Sequence, residues 1–372
     1  MRAGLPLFFL TILCVSAAES RIDLAPVLEP HLEKTRVPAF AAAVVRGTNI
    51  IAAGVSGVRK AGTSDEVTLD DKFHIGSCTK SMTALLGALL DGSKVISLTN
   101  SVGEVLKDWR IPPRAHSITL EQLLQNRSGL GNDPDSKLWH RTATDGSSPE
   151  KQRRRFLESF LESPLAANPG SKYIYSNPGF ALAGAMLEVA SKTSWEDLVR
   201  RKIFSRLNLT SGGFGPPSTS GGLDQPWGHV WEEGRAKPVP PSDNPRAIAP
   251  AGAVHLSILD AARYAAFHLL AAQGKIPELS SYRNALYSPP EGADYQYGMG
   301  WIIGQRKWAS GKVLTHAGSN TMFFMVIWIA PERDFAFVVA TNVADRRNTI
   351  AAACDGIVGE LITRFLPSTE SK

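Results

Sequence analysis

The chain has 372 residues, 43% of them apolar and 20% charged, with a formal net charge of +5. This is the composition of a globular protein large enough for one big core or two smaller ones, so disorder is excluded except at the ends. Its basic residues are scattered apart from Arg153-Arg154-Arg155, so there is no nucleic-acid footprint and no nucleic-acid partner is expected.

Met1-Arg2, the apolar run Leu5 to Val15 and then Ser16-Ala17-Ala18 form the positive start, apolar middle and small-residue exit of a secretory signal. A membrane anchor needs about 20 apolar residues, and this run is shorter. The reading is a signal peptide over 1–18 and an exported soluble protein, periplasmic or secreted, with no integral membrane segment after cleavage. Leu13 precedes Cys14 where lipid attachment wants a small residue. Once the signal is gone Cys78 and Cys354 remain, both expected as free thiols. No His-x-x-x-His or Cys-x-x-Cys spacing occurs, so neither a metal nor another cofactor is expected.

Further along, a short helix is expected from Pro26 to Lys34. Two strands follow, Ala39 to Arg46 and Asn49 to Gly57, turning at Gly47-Thr48 as a hairpin. Phe73-His74-Ile75-Gly76-Ser77-Cys78-Thr79-Lys80 reads as an extended lead-in and a glycine turn. It opens a helix through Met82, Leu85, Leu86 and Leu89 that stops near Asp91-Gly92. Thr119 caps another helix, and one more runs from Pro149 to about Ser163. On the latter, Arg153, Arg154 and Arg155 read as a solvated face opposite Phe156, Leu157, Phe160 and Leu161.

Tyr175-Ser176-Asn177 leads to an apolar helix from Ala181 to Ala190. Thr210 to Ala249, rich in glycine, proline and serine, reads as a long surface excursion. Ser257-Ile258-Leu259-Asp260 has the shape of a capping box for a helix to about Ala272. Strands are expected over Tyr297 to Gly304, Lys312 to Ser319, Met322 to Ala330 and Phe335 to Asn342, with turns short enough to require antiparallel pairing. A last helix from about Asn348 to Phe365 would cover one face. The fold class is α/β of the α+β type: an antiparallel sheet built from both chain ends, flanked by helices, with an inserted helical lobe. One domain is expected over 19–366, its sheet part about 21–72 and 250–366 and its lobe about 73–249, with a tail at 367–372.

If Ser77 starts its helix, Lys80 lies one turn further on the same side, and its amine reaches the hydroxyl. That is a nucleophile with its own base. The same spacing recurs at Ser148-Pro149-Glu150-Lys151, where the serine before a proline reads as an N-cap. Two further patterns follow Ser77-x-x-Lys80 in order, Tyr175-x-Asn177 and then His316-x-Gly318 on a strand. Tyr282-Arg283-Asn284 repeats the second by chance, outside the expected flanks.

Here the chain resembles the serine β-lactamase and penicillin-binding protein family, in particular the branch of class C β-lactamases, DD-carboxypeptidases and related esterases. The likeness includes Val37-Pro38, Phe73 to Ser77, Leu123-Leu124 to Arg127-Ser128-Gly129-Leu130, Tyr175 to Phe180, Pro250-Ala251-Gly252, Tyr297-Gly298-Met299-Gly300-Trp301 and His316-Ala317-Gly318.

Chemistry and resemblance imply the same roles. Ser77 is the nucleophile, and Lys80 or Tyr175 is the base that takes its proton. Asn177 holds Lys80 and binds the acyl side chain. The N–H groups of Ser77 and of Ser319, just past Gly318, form the oxyanion hole. No Gly-x-Ser-x-Gly elbow is present, which argues against an α/β-hydrolase.

His316 stands where class C enzymes usually carry lysine, and this disfavours efficient β-lactam hydrolysis. Activity on carboxylate-bearing substrates is then expected to fall as pH rises through the histidine pKa. Gly318-Ser319-Asn320-Thr321-Met322 also replaces the glycine-rich segment common after that motif. The expected function is an exported serine hydrolase, a monomer whose partner is a small-molecule or peptide substrate: a β-lactam, a D-Ala-D-Ala peptide or a small ester. The alternative is a penicillin-recognising protein of the same fold with little turnover.

Overall fold

The computed structural model describes residues 21–132, 134–345 and 349–366. The expected signal peptide with Cys14 and the tail at 367–372 lie outside them. The N-terminal end supplies β1 (Ile22–Asp23), β2 (Ala39–Arg46) and β3 (Asn49–Gly57). The middle supplies β4 (Lys72–His74), β5 (Gly213–Phe214), β6 (Gly228–Glu232), β7 (Arg235–Val239) and β8 (Val254–Ser257). From the C-terminal end come β9 (Ile302–Arg306), β10 (Gly311–Ser319), β11 (Phe324–Ala330), β12 (Phe335–Thr341) and β13 (Val343–Ala344).

The main sheet runs β1-β3-β2-β12-β11-β10-β9, so the two chain ends join between β2 and β12. There Phe40 pairs with Thr341 and Arg46 with Phe335. All its pairs are antiparallel except β1 with β3. Both faces of the central strands are buried, and for that reason they read as near-continuous apolar runs. In β2, Ala39, Ala41, Ala43 and Val45 face a core that continues through Met82, Leu85 and Leu86 into the helical lobe. Phe40, Ala42 and Val44 face a second core beneath the helices Ala25–Thr35 and Thr349–Phe365. Phe40 and Phe337 are fully buried, each worth about 1.5–3 kcal/mol against exposure.

Several local expectations are corrected by tertiary contacts. The strand expected from Tyr297 starts only at Ile302. Gly300 has φ +78°, and a Cβ there would lie 2.6 Å from Ser81 Cα, so this segment turns against the helix that carries Ser81, with Tyr297 bridging back to Ile302 before the strand begins. The excursion at 210–249 contains the β6–β7 hairpin, turned at Glu233 and Gly234, both with positive φ, and β6 pairs with β13. Ser257 does cap the helix Ile258–Ala272, accepting from Asp260 N. No reciprocal box closes, because the Asp260 carboxylate is taken by Ser211 and Arg263.

Arg153 departs furthest from expectation. It is fully buried rather than solvated, held by Glu188 and by Glu196 at 3.0 Å, and it donates to Ala247 O at 3.2 Å. Arg154 and Arg155 remain exposed, as the other helical face requires. Among the described residues no helix is long and apolar enough to cross a membrane. Cys78 and Cys354 are free and buried.

Candidate active site

Ser77 lies in a single turn, Gly76–Cys78, that runs directly into the helix Thr79–Gly92. Lys80 is fully buried on that helix, while Lys151 of the repeated motif is exposed, so only the first Ser-x-x-Lys is a desolvated pair. Lys80 Nζ stands 3.1 Å from Ser77 Oγ, 2.6 Å from Asn177 Oδ1 and 2.8 Å from the Ala251 carbonyl. Burial holds the amine well below its ordinary pKa. A neutral amine has two N–H donors and one lone pair. All three oxygens accept from Nζ in the structure; in the neutral form two N–H groups suffice for Asn177 Oδ1 and Ala251 O, and the lone pair then faces the Ser77 hydroxyl.

Tyr175 OH is 2.5 Å from Ser77 Oγ on the other side. Burial pushes the phenol up to about 12, partly offset by the hydrogen bond to Ser77. Asn126 fixes the loop on both flanks of this tyrosine: its carbonyl accepts from Ile174 N at 2.7 Å and its Oδ1 from Ser176 N at 3.0 Å. Ser176 caps the helix Asn177–Ser191, accepting from Gly179 N, so that helix begins four residues earlier than its apolar run. Asn177 thereby sits in the first helical turn, and its own N–H donates to Asn132 Oδ1 at 2.8 Å.

The oxyanion-hole candidates meet by backbone contact. A Cβ on Gly76 would lie 2.2 Å from Ser319 N, and one on Gly318 would lie 2.1 Å from Ile75 O and 2.6 Å from Ser77 N. Only glycine at both positions lets the end of β10 reach the turn that carries Ser77. Cys78, next to Ser77, is inert by contrast, since burial pushes its thiol up to about 12.

His316 is on β10, buried, with Nδ1 2.7 Å from Ala317 O and Nε2 3.5 Å from Tyr297 OH. A carbonyl only accepts, so Nδ1 carries the proton and Nε2 is an acceptor. Burial drives its pKa down to about 3. The expected titration of His316 near neutrality is therefore corrected, because desolvation keeps the ring uncharged. The kcat/KM ratio for a free carboxylate substrate against its methyl ester should stay constant from about pH 5 to pH 8. A ratio falling through the ordinary histidine range would restore a charged role for His316.

Three contributors escaped the sequence reading: Asn126, Asn132 and the carbonyl of Ala251. Asn126 and Ala251 lie within or beside segments that carried the resemblance, and Asn132 follows one of them by two residues. Asn132 and Asn177 also line a 260 Å³ cleft together with Pro134, Trp139, Phe156, Pro178 and Ile248.

Residues 24–353 match the family model described as Beta-lactamase. The chain belongs to the beta-lactamase family. Within that family it is 28% identical over 218 residues to Penicillin-binding protein 4 of Amycolatopsis lactamdurans, covering 58% of this chain and 55% of that one. It is 24% identical over 388 residues to the D-alanyl-D-alanine-carboxypeptidase/endopeptidase AmpH of Escherichia coli strain K12, covering 94% of this chain and 97% of that protein. The chain thus spans little more than half the length of the Amycolatopsis relative and nearly all of AmpH. The octameric penicillin-binding protein homologue from Pyrococcus abyssi superposes with a TM-score of 0.74 at 21% identity, covering 91% of this chain and 76% of that one, which establishes the shared beta-lactamase-family fold.

Proposed function

We propose that this chain is a serine hydrolase that carries an acyl group on Ser77. The observation that carries the reading is that the fully buried Lys80 amine, its pKa lowered by that burial, lies 3.1 Å from Ser77 Oγ and is held there by Asn177 Oδ1 and the Ala251 carbonyl. Ser77 Oγ attacks a carbonyl carbon while its proton passes to Lys80 Nζ, and the carbonyl oxygen takes up negative charge between Ser77 N–H and Ser319 N–H. One oxyanion donor is worth on the order of 3 kcal/mol. The carbonyl then re-forms as the bond from its carbon to the leaving nitrogen or oxygen breaks, and that atom takes the proton from the Lys80 ammonium, with Tyr175 OH placed 2.5 Å from Oγ to relay it. Water next adds to the Ser77 ester, and the same transfers run in reverse.

In this scheme Lys80 is the base and Tyr175 the relay, because burial favours the uncharged form of each. The substrate is an amide or ester joined to its acyl group near Asn132 and Asn177. The similarity to AmpH supports a D-configured peptide. An uncharged His316 favours a leaving group without a free carboxylate, such as an internal peptide bond or an ester. Export by the signal at 1–18 and a monomeric state belong to the same proposal.

The test is intact-protein mass after mixing with an activated small ester, and separately with a penicillin, each beside a Ser77→Ala control. An adduct of the acyl mass is expected on the unaltered protein and none on the control, with ester turnover falling on the order of 10³-fold or more. Turnover retained by Ser77→Ala would sink the assignment.

A further inference from the structure

The oxyanion-hole candidates sit on two separate pieces of chain, Ser77 on the nucleophile turn and Ser319 at the end of β10. Glycine contact limits how closely those pieces approach, but it does not hold them together. A buried polar network outside the catalytic set does. His74 is fully buried, and its Nδ1 accepts from Gly76 N at 3.1 Å, one residue before the nucleophile. An accepting Nδ1 carries no proton, so Nε2 carries it and donates to Asp243 Oδ2 at 2.9 Å. The other carboxylate oxygen, Asp243 Oδ1, accepts from Asn320 Nδ2 at 3.2 Å and from Asn244 N at 2.8 Å.

Asn320 is buried and follows Ser319 directly. Its Oδ1 accepts from Met322 N at 3.2 Å and from Phe323 N at 3.0 Å, folding the chain back into β11. That fold places Thr321, a β-branched residue, at φ +73°, a backbone conformation that holds only where the surroundings enforce it. The network thus grips the peptide before Ser77 at one end and the turn after Ser319 at the other. Its centre, Asp243, comes from the excursion at 210–249, far from both in sequence.

We infer that Asp243 is a positioning residue for the oxyanion hole, clamping its two arms at a fixed separation through His74 and Asn320. The inference rests on the proposed Ser77 acylation. A carboxylate suits the post because it offers two acceptor oxygens to three donors and brings no donor of its own. Because the groups it serves are buried, losing it leaves His74 Nε2–H and Asn320 Nδ2 without an acceptor, and both arms are freed to shift.

The experiment acylates the full chain with a carbonyl-labelled p-nitrophenyl ester and reads the carbonyl stretch of the acyl-enzyme by isotope-edited infrared spectroscopy, beside steady-state kinetics. Asp243→Ala should move that stretch to higher wavenumber, as a less polarised carbonyl does. It should also lower kcat by ~10- to 100-fold, because the donors are misaligned rather than removed, with KM within about threefold. His74→Asn, whose amide oxygen can take the Gly76 N–H, should stay nearer the unaltered frequency than His74→Phe, which can take nothing. A folded, acylated Asp243→Ala protein with an unmoved carbonyl and unchanged kcat overturns the clamp. If Asp243→Ala does not fold, the same readout on His74→Phe decides, an unmoved carbonyl again overturning it. Failure of the unaltered protein to form any acyl-enzyme is a different result, which overturns the reading beneath the inference and the inference with it.

Discussion

Lys80→Arg should cost on the order of 10³-fold in kcat for ester hydrolysis, within the range that a general base contributes, even though it keeps the positive side-chain type. A guanidinium stays charged at any working pH and has no lone pair to take a proton. It also presents five N–H donors where the site offers Asn177 Oδ1, Ala251 O and the Ser77 hydroxyl. Burial lowers the Lys80 pKa, and the base acts in its neutral form. The rate of the unaltered enzyme should therefore rise with pH through that depressed pKa. It should then stay level until Tyr175 begins to titrate near 12. Steady-state kinetics across pH, with the arginine variant alongside, checks both statements. Activity within tenfold of the unaltered enzyme in Lys80→Arg would transfer the role of base to another group.

Arg153→Leu should lower stability by about 3–5 kcal/mol, the usual cost of leaving buried charges without their partner. Arg153 is fully buried against Glu188 and Glu196, and Glu188 also accepts from Trp195 N at 2.9 Å. Burial already holds Glu188 above the usual carboxylate range despite the arginine. Without Arg153 its folded-state pKa climbs further, so the folded state binds more protons than the unfolded one. Stability then falls as pH rises through the interval between the two pKa values, and the loss is larger at about pH 8 than at about pH 5. Urea unfolding at those two pH values measures it. Replacing Arg153, Glu188 and Glu196 together with apolar residues should recover much of the loss. A single variant within 1 kcal/mol of the unaltered protein would mean the triad carries little of the fold.

The damage should also reach the site. Trp195 Nε1 donates to Thr83 Oγ1 at 3.0 Å, and Thr83 Oγ1 donates to Pro250 O at 2.7 Å. The next carbonyl, that of Ala251, is the one that holds Lys80. Arg153 itself grips Ala247 and Arg246 just upstream. The strut therefore runs from a buried ion triad in the lobe to the acceptor that keeps the base in place.

The amino-acid sequence by itself determined the elements whose information is local. The β2–β3 hairpin, the capped helix after Thr119 and the antiparallel run from β9 to β12 follow from short apolar runs, caps and turn length, which act over a few residues. Ser77 and Lys80 belong to the same class, because three residues of helix suffice to bring them together. Tertiary structure alone decided what depends on neighbours from 35 to 169 positions away. Arg153 looks solvated in a charge run, yet it is buried by Glu188, Glu196 and the segment at 246–247. His316 looks titratable, yet the surroundings that desolvate it come from other elements. Asp243 lies in a stretch without periodicity, yet it joins His74 to Asn320. Side-chain order is written along the chain, whereas desolvation and long-range hydrogen bonding arise only when distant segments close around a group, and these set the charge state of Lys80, Tyr175 and His316.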